Sequence, residues 1–137
     1  MIIRTAAEAD FAALAELWAE CGLTRAWNDP LQDMAFALQG PASTILVGEG
    51  QGSIIASVMA GHDGHRGVLY YLAVKPAHQG QGLGRAMHEA AVQWLRARGV
   101  WKINLMVRSE NEKVRGFYEG LGYAPNAVIS FGKRIDA

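Results

Sequence analysis

The stretch Val74-Lys75-Pro76-Ala77-His78-Gln79-Gly80-Gln81-Gly82-Leu83-Gly84-Arg85 decides how this chain of 137 residues is read. An apolar run, Val68-Leu69-Tyr70-Tyr71-Leu72-Ala73-Val74, leads into it, and Met87, Ala91, Trp94 and Leu95 follow at helical spacing. A glycine-rich turn therefore joins a buried strand to the start of a helix. The first N–H groups of a helix lack intrahelical acceptors, and the helix dipole adds partial positive charge there. Glycines let a ligand come close to such a backbone. The combination predicts an anion site, above all for phosphate. There is no Gly-Lys-Ser/Thr, which sets aside a P-loop. Gly80, Gly82 and Gly84 give G-x-G-x-G, not the dinucleotide pattern G-x-G-x-x-G.

Outward from that loop, the length suits a single domain over residues 1–137 with one core. Thirteen basic and thirteen acidic residues cancel, so no strongly basic face and no nucleic-acid partner are expected. No apolar stretch approaches a membrane span, and Met1-Ile2-Ile3-Arg4-Thr5 is too short in apolar residues for a signal peptide. A cytoplasmic protein with no membrane partner is the expectation. Cys21 is the only cysteine, so neither an internal disulfide nor a cysteine metal cluster is expected, and no metal is. Its neighbours Leu17 and Trp18 point to a buried structural thiol.

Phe11, Leu14, Leu17 and Trp18 mark one face of a helix from about Glu8 to Cys21, after a short strand Ile2-Ile3-Arg4. Asp29-Pro30-Leu31-Gln32 opens a second helix: Asp29 can cap it and Pro30 suits its first position. Strands are predicted over Ser43 to Glu49, Ser53 to Gly61 and Arg66 to Val74, with connections short enough for antiparallel pairing. A helix to about Arg98, a strand Trp101 to Val107, a helix Val114 to Leu121 and a last strand Val128 to Lys133 complete the order.

Gln79, Gly82 and Gly84, placed just after a strand ending Val-x-Pro, resemble the Gln-x-x-Gly-x-Gly signature of the GCN5-related N-acetyltransferases, the GNAT superfamily. The order β-α-α-β-β-β-α-β-α-β is similar to that fold over nearly the whole chain. Asn111-Glu112-Lys113-Val114-Arg115-Gly116-Phe117-Tyr118-Glu119-Gly120-Leu121-Gly122-Tyr123 resembles the family's C-terminal motif. Trp27-Asn28-Asp29-Pro30, Gly61-His62-Asp63-Gly64-His65-Arg66-Gly67 and Gly132-Lys133-Arg134 look like a small bacterial subfamily, the YpeA-type acetyltransferases. The resemblance implies an α/β (α+β) GNAT fold: one mixed, mostly antiparallel sheet flanked by helices and splayed between its fourth and fifth strands. It implies transfer of an acetyl group from acetyl-CoA to a primary amine of a small molecule or peptide, by direct attack on the thioester. Relatives often form dimers, so a homodimer is a further expectation.

By the same resemblance pantetheine pairs with the backbone of Leu72, Ala73 and Val74. Leu72 N–H is the oxyanion donor, and the diphosphate lies on the backbone of Gln79, Gly80, Gln81, Gly82, Leu83, Gly84 and Arg85. Asn111 contacts the cofactor, and it also reads as a plain helix cap. Tyr118 is the general acid, since a phenol is protonated at neutral pH and can donate to a departing thiolate. The glutamates that serve relatives as base are missing, because Met106, Tyr70 and Tyr71 stand at those positions. Asp63, with His62 and His65, is the nearest titratable group. It acts either as base or as a holder of a cationic substrate, unless a water chain serves as base. Trp27, Asn28, Asp29, Asp63, His65 and Arg66 form the expected acceptor side, where an aromatic ring beside carboxylates suits an ammonium group. Asp29 also reads as only a cap, and Arg25 with Arg66 would suit a carboxylate. A catalytically silent acyl-CoA binding or sensing domain is the alternative from another class.

Overall fold

Four stretches rich in apolar and β-branched residues become strands, and three amphipathic stretches become the helices that cover them. The computed structural model describes residues 1–136. They form two compact units, residues 1–105 and residues 106–136. The first holds β1 (Ile2–Thr5), α1 (Phe11–Glu20), α2 (Pro30–Ala37), β2 (Ser43–Gly50), β3 (Ser53–His62), β4 (Gly67–Val74) and α3 (Leu83–Arg96). The strands make one antiparallel sheet in the order β1-β2-β3-β4. No helix among the described residues is long and apolar enough to cross a membrane.

Strand residues alternate between faces, and here both faces are covered. Leu14, Leu17 and Trp18 of α1 and Met34 and Ala37 of α2 meet Ile45, Val47 and Ala73 on one side. Met87, Ala91 and Leu95 of α3 meet Leu46, Val58, Ala60 and Leu69 on the other. That double coverage is why β2 reads as a continuous buried run over Thr44–Gly48 instead of an alternating one. Helix α2 begins as its sequence requires: Asp29 accepts from Leu31 N at 3.0 Å, and Pro30 fills the first position.

The predicted strand Trp101 to Val107 is not formed. Only Ile103 reaches β4, through an isolated parallel bridge to Gly67, with Gly67 N–H on Lys102 O at 2.9 Å and Asn104 N–H on Gly67 O at 3.0 Å. Gly67 is there because a Cβ would lie 2.9 Å from Leu95 Cδ1 and 3.1 Å from Val100 Cγ1. Beyond this bridge the outer edge of β4 has no strand partner among the described residues. Val128 to Lys133 is likewise not a strand, and Val128, Ile129 and Phe131 stay exposed. Both errors share a cause: β propensity describes a fit to a neighbouring strand, and without a continuous ladder it does not form one. In the second unit α4 (Glu112–Gly120) forms as expected, two residues earlier than the apolar pattern suggested, because Asn111 accepts from Val114 N at 3.2 Å.

At the far edge of the sheet, Arg4 of β1 donates to both oxygens of Asp10, at 2.7 and 2.9 Å, and to Glu49 of β2 at 2.7 Å. Asp10 also accepts from Ala7 N at 2.8 Å. The Arg4 guanidinium, aided by the Ala7 amide, holds the Asp10 carboxyl below the usual range against the effect of burial. A carboxyl with a lowered folded-state pKa stabilises fully above its unfolded value of about 3.9 and loses that contribution as pH falls through the folded value. Asp10→Asn is therefore expected to lower the melting temperature at pH 7 by roughly 3–6 °C. The gap to wild type should close as the pH is taken down below the folded-state value. Thermal melts from pH 7 to pH 2 check this; a gap independent of pH rules out the ion pair as its source.

Candidate functional site

The register between β3 and β4 breaks at one place. Ser57 faces Ala73 and Met59 faces Tyr70, so Val58 alone opposes both Tyr71 and Leu72. One extra residue on β4 makes a β-bulge, and Tyr71 takes it up with a φ of 52°. A non-glycine residue at positive φ is disfavoured and persists only where its surroundings hold it. Here they do. Tyr71 lies flat on Trp18, ring centroids 3.7 Å apart and planes 7° apart. Trp18 Nε1–H donates to Ser57 Oγ at 2.9 Å, and Ser57 Oγ–H donates to Tyr71 O at 2.8 Å. Trp18 and Ser57 are fully buried, so this chain satisfies groups that would otherwise be costly.

After the bulge, Lys75 N–H bonds Ile55 O at 2.8 Å. Hydrogen-bonded pairs alternate along an antiparallel ladder, so Ala73 bonds to Ser57 while the backbones of Leu72 and Val74 point to the outer edge. Leu72 N–H is thus a donor on the open side of β4, whereas Ala73 turns its backbone to β3. The Val74 carbonyl accepts from Gln79 Nε2 at 3.0 Å and from Cys21 Sγ at 3.3 Å. Cys21 is half-buried, and burial pushes its thiol pKa up, away from nucleophile chemistry.

The glycine loop opens α3 as its sequence promised. Gly82 is the N-cap residue at φ 80°, and no side chain caps the helix. The first intrahelical bond runs from Ala86 N–H to Gly82 O, leaving Leu83, Gly84 and Arg85 N–H without intrahelical acceptors. A Cβ at Gly80 or Gly82 would meet nothing within 4 Å. The space beside Gly80 and Gly82 is thus open, and Arg85 in the first turn of α3 is exposed. Such an uncapped, accessible helix start fits a diphosphate.

The acceptor-side residues divide. Asn28 Nδ2 donates to Tyr71 Oη at 3.0 Å, so the α1–α2 loop reaches the bulge. Asp29 is the cap of α2. Trp27 is 66% exposed, not core. Arg25 braces its own loop, donating to Gly22 O and Thr24 O. Asp63 Oδ1 accepts from His65 N and Arg66 N, both at 2.8 Å, and the Arg66 and His65 amides hold its carboxyl below the usual range. His62 Nδ1 accepts from Gly64 N at 3.1 Å. Arg66 stacks over Trp101, 4.5 Å from the ring centroid. This turn thus bonds within itself, before the start of β4; Tyr71 lies four residues on from Gly67, roughly 13 Å at the rise of a strand. In the second unit Asn111 caps α4, and Tyr118 is buried, edge-on to Phe117 and Tyr123. Burial pushes the Tyr118 phenol up to about 12, further from the neutral range in which a phenol already keeps its proton.

Sequence reasoning missed Asp33, Trp18 and Ser57. Asp33 Oδ2 accepts from Tyr71 Oη at 2.7 Å and from Asn28 Nδ2. Burial, then Asp33, push the Tyr71 phenol up, so Tyr71 is the donor. Position 33 was legible only as the one charge in α2.

The acetyltransferase (GNAT) family profile matches residues 11–123. An acetyltransferase of Pectobacterium atrosepticum is 44% identical and one of Yersinia enterocolitica 43% identical, each over 98% of this chain and 96% of the relative. Among solved structures, an aminoglycoside 6'-N-acetyltransferase from Acinetobacter haemolyticus superposes with a TM-score of 0.81 at 21% identity, covering 99% of this chain and 100% of that one. AAC(6')-Iy in complex with the bisubstrate analogue CoA-S-monomethyl-acetylneamine superposes with a TM-score of 0.83 at 18% identity, covering 98% of each chain.

Ser57→Ala leaves the buried Trp18 indole N–H and the Tyr71 carbonyl without their partner. It is expected to cost about 2–3 kcal/mol of stability in denaturant unfolding. A loss below the error of the measurement would mean that the bulge holds without this chain of bonds.

Proposed function

The chain belongs to the acetyltransferase (GNAT) family and is an N-acetyltransferase, and from that premise we propose that it moves the acetyl group of acetyl-CoA to a primary amine by direct attack on the thioester. The observation that carries this reading is the sequence of features in one stretch of chain: an open β4 edge at Leu72, then an uncapped α3 start at Leu83, Gly84 and Arg85. The first offers backbone groups to an extended chain, the second N–H groups to a diphosphate.

In this reading acetyl-CoA supplies an activated carbonyl carbon. Leu72 N–H donates to its oxygen as charge develops there. The amine nitrogen bonds to the carbonyl carbon, the C–S bond breaks, and the thiolate takes a proton. Tyr118, neutral at pH 7 as any phenol is and more firmly so in its buried place, supplies that proton and regains one from solvent. The proton shed by the amine leaves to water, and no side chain of the β3–β4 turn is needed as base. Asn111 caps the helix that carries Tyr118. The aminoglycoside enzymes are similar in fold alone, so the acceptor class rests on this chain's own residues.

Acetyl-CoA at 100 times its Kd is expected to raise stability by roughly 2.7 kcal/mol, read as a thermal shift. Gly82→Asn keeps a residue type that tolerates the left-handed conformation while placing a side chain in the open space over the amides. It should fold and lose most of the shift; a full shift in the folded variant would falsify the diphosphate assignment.

Tyr118→Phe should lower kcat and kcat/KM together by about a hundredfold or more, with the Kd of acetyl-CoA little changed. Pre-steady-state turnover identifies the chemical step; a Phe variant that performs it at the wild-type rate makes Tyr118 structural.

A further inference from the structure

Between Arg25 and Arg66 the chain has no lysine or arginine but carries Asp29, Asp33, Glu49 and Asp63. Three of these are committed: Asp29 caps α2, Glu49 pairs with Arg4, and Asp63 holds its own turn. Asp33 is different. It is half-buried, and among the described residues it forms no ion pair. Both its side-chain hydrogen bonds, from Tyr71 Oη and Asn28 Nδ2, fall on Oδ2, which leaves Oδ1 open. Those two donors come from the bulge of β4 and from the loop before α2. A carboxylate is thereby fixed over the bulge, with exposed Trp27 on the same loop and Tyr70, 44% exposed, next along β4.

We propose that Asp33 is a specificity-determining residue that takes a cationic group of the acceptor on Oδ1, and that Tyr71 and Asn28 position it; the acceptor class is a diamine or polyamine. The proposal rests on the acetyl-transfer reading above. A full tyrosine side chain and a 2.7 Å hydrogen bond separate Asp33 from the bulge backbone, where the thioester is assigned. The group on Asp33 is therefore not the attacking nitrogen but a second ammonium some bonds away along the acceptor. A carboxylate with two neutral donors and no cation is matched by such a group, and the exposed rings of Trp27, on the loop before α2, and Tyr70, next to Tyr71 in β4, suit the same charge. With no ion-pair partner among the described residues, the Asp33 carboxylate keeps its charge available to a second ammonium, which favours polycations over monoamines.

The test uses the full chain, spermidine and butylamine. Calorimetric titration first establishes acetyl-CoA binding. Wild type should then acetylate spermidine with a KM about tenfold or more below that for butylamine. Asp33→Asn should reduce the spermidine-to-butylamine ratio of kcat/KM by about tenfold, with the loss falling on KM for spermidine and not on kcat. Tyr71→Phe keeps the ring on Trp18 but removes the bond to Asp33; it should reduce the ratio in the same direction by a smaller factor. A residue that merely supports the fold would not separate the two amines. The proposal is overturned if acetyl-CoA binds but wild type shows no preference for spermidine, including no turnover of either amine. It is also overturned if the preference survives in Asp33→Asn, or in Tyr71→Phe where the Asn variant does not fold. Failure of wild type to bind acetyl-CoA would instead refute the acetyl-transfer reading.

Discussion

One extra residue in β4 governs this protein's site. Without the bulge at Tyr71, β4 would continue its ladder with β3 in unbroken register, and every residue from Leu72 onward would exchange faces. The bulge turns Leu72 N–H to the open edge and sends Tyr71 onto Trp18. It is held by buried groups from two elements, Trp18 of α1 and Ser57 of β3, which meet nowhere else in the sequence. The disfavoured φ of Tyr71 is thus stabilised by stacking and by a closed chain of hydrogen bonds.

The first unit separates its charges along the chain. The start of α3 presents amides with no acceptor, and Lys75 and Arg85 flank the loop that precedes it. The span from α2 through β3 carries carboxylates without a basic residue. Backbone dipoles at the α3 start favour negative charge, and the Asp33 carboxylate, with no ion pair among the described residues, favours positive charge.

The glycine loop and the Asn111 motif were legible because their chemistry is local: a cap, a turn and a helix start are set by a few consecutive residues. The two unformed strands show the opposite case. Trp101 to Val107 has the right alternation, but only Ile103 finds a partner, at the single point where Gly67 lets it approach. In the β3–β4 turn Asp63 accepts two backbone N–H groups and His62 one, from residues two or three positions on, a bonding that was not read from the sequence. Polar residues in turns satisfy their own backbone first.

By itself the sequence determined the family, the order of the first seven elements, the uncapped glycine-rich start of α3 and the capped helix that carries Tyr118. These rest on periodicity, capping and glycine placement, which act over a few residues. Only the tertiary structure decided that Ala73 faces β3, that Asp63 is absorbed by its turn, and that Asp33 stands over the bulge. Those outcomes depend on which strand pairs with which, and on one inserted residue whose effect is invisible until the register of β3 on β4 is known. Asp33 and Tyr71 are thirty-eight positions apart, joined by one hydrogen bond, and contacts across such distances are set by packing of the sheet and its helices rather than by any local preference.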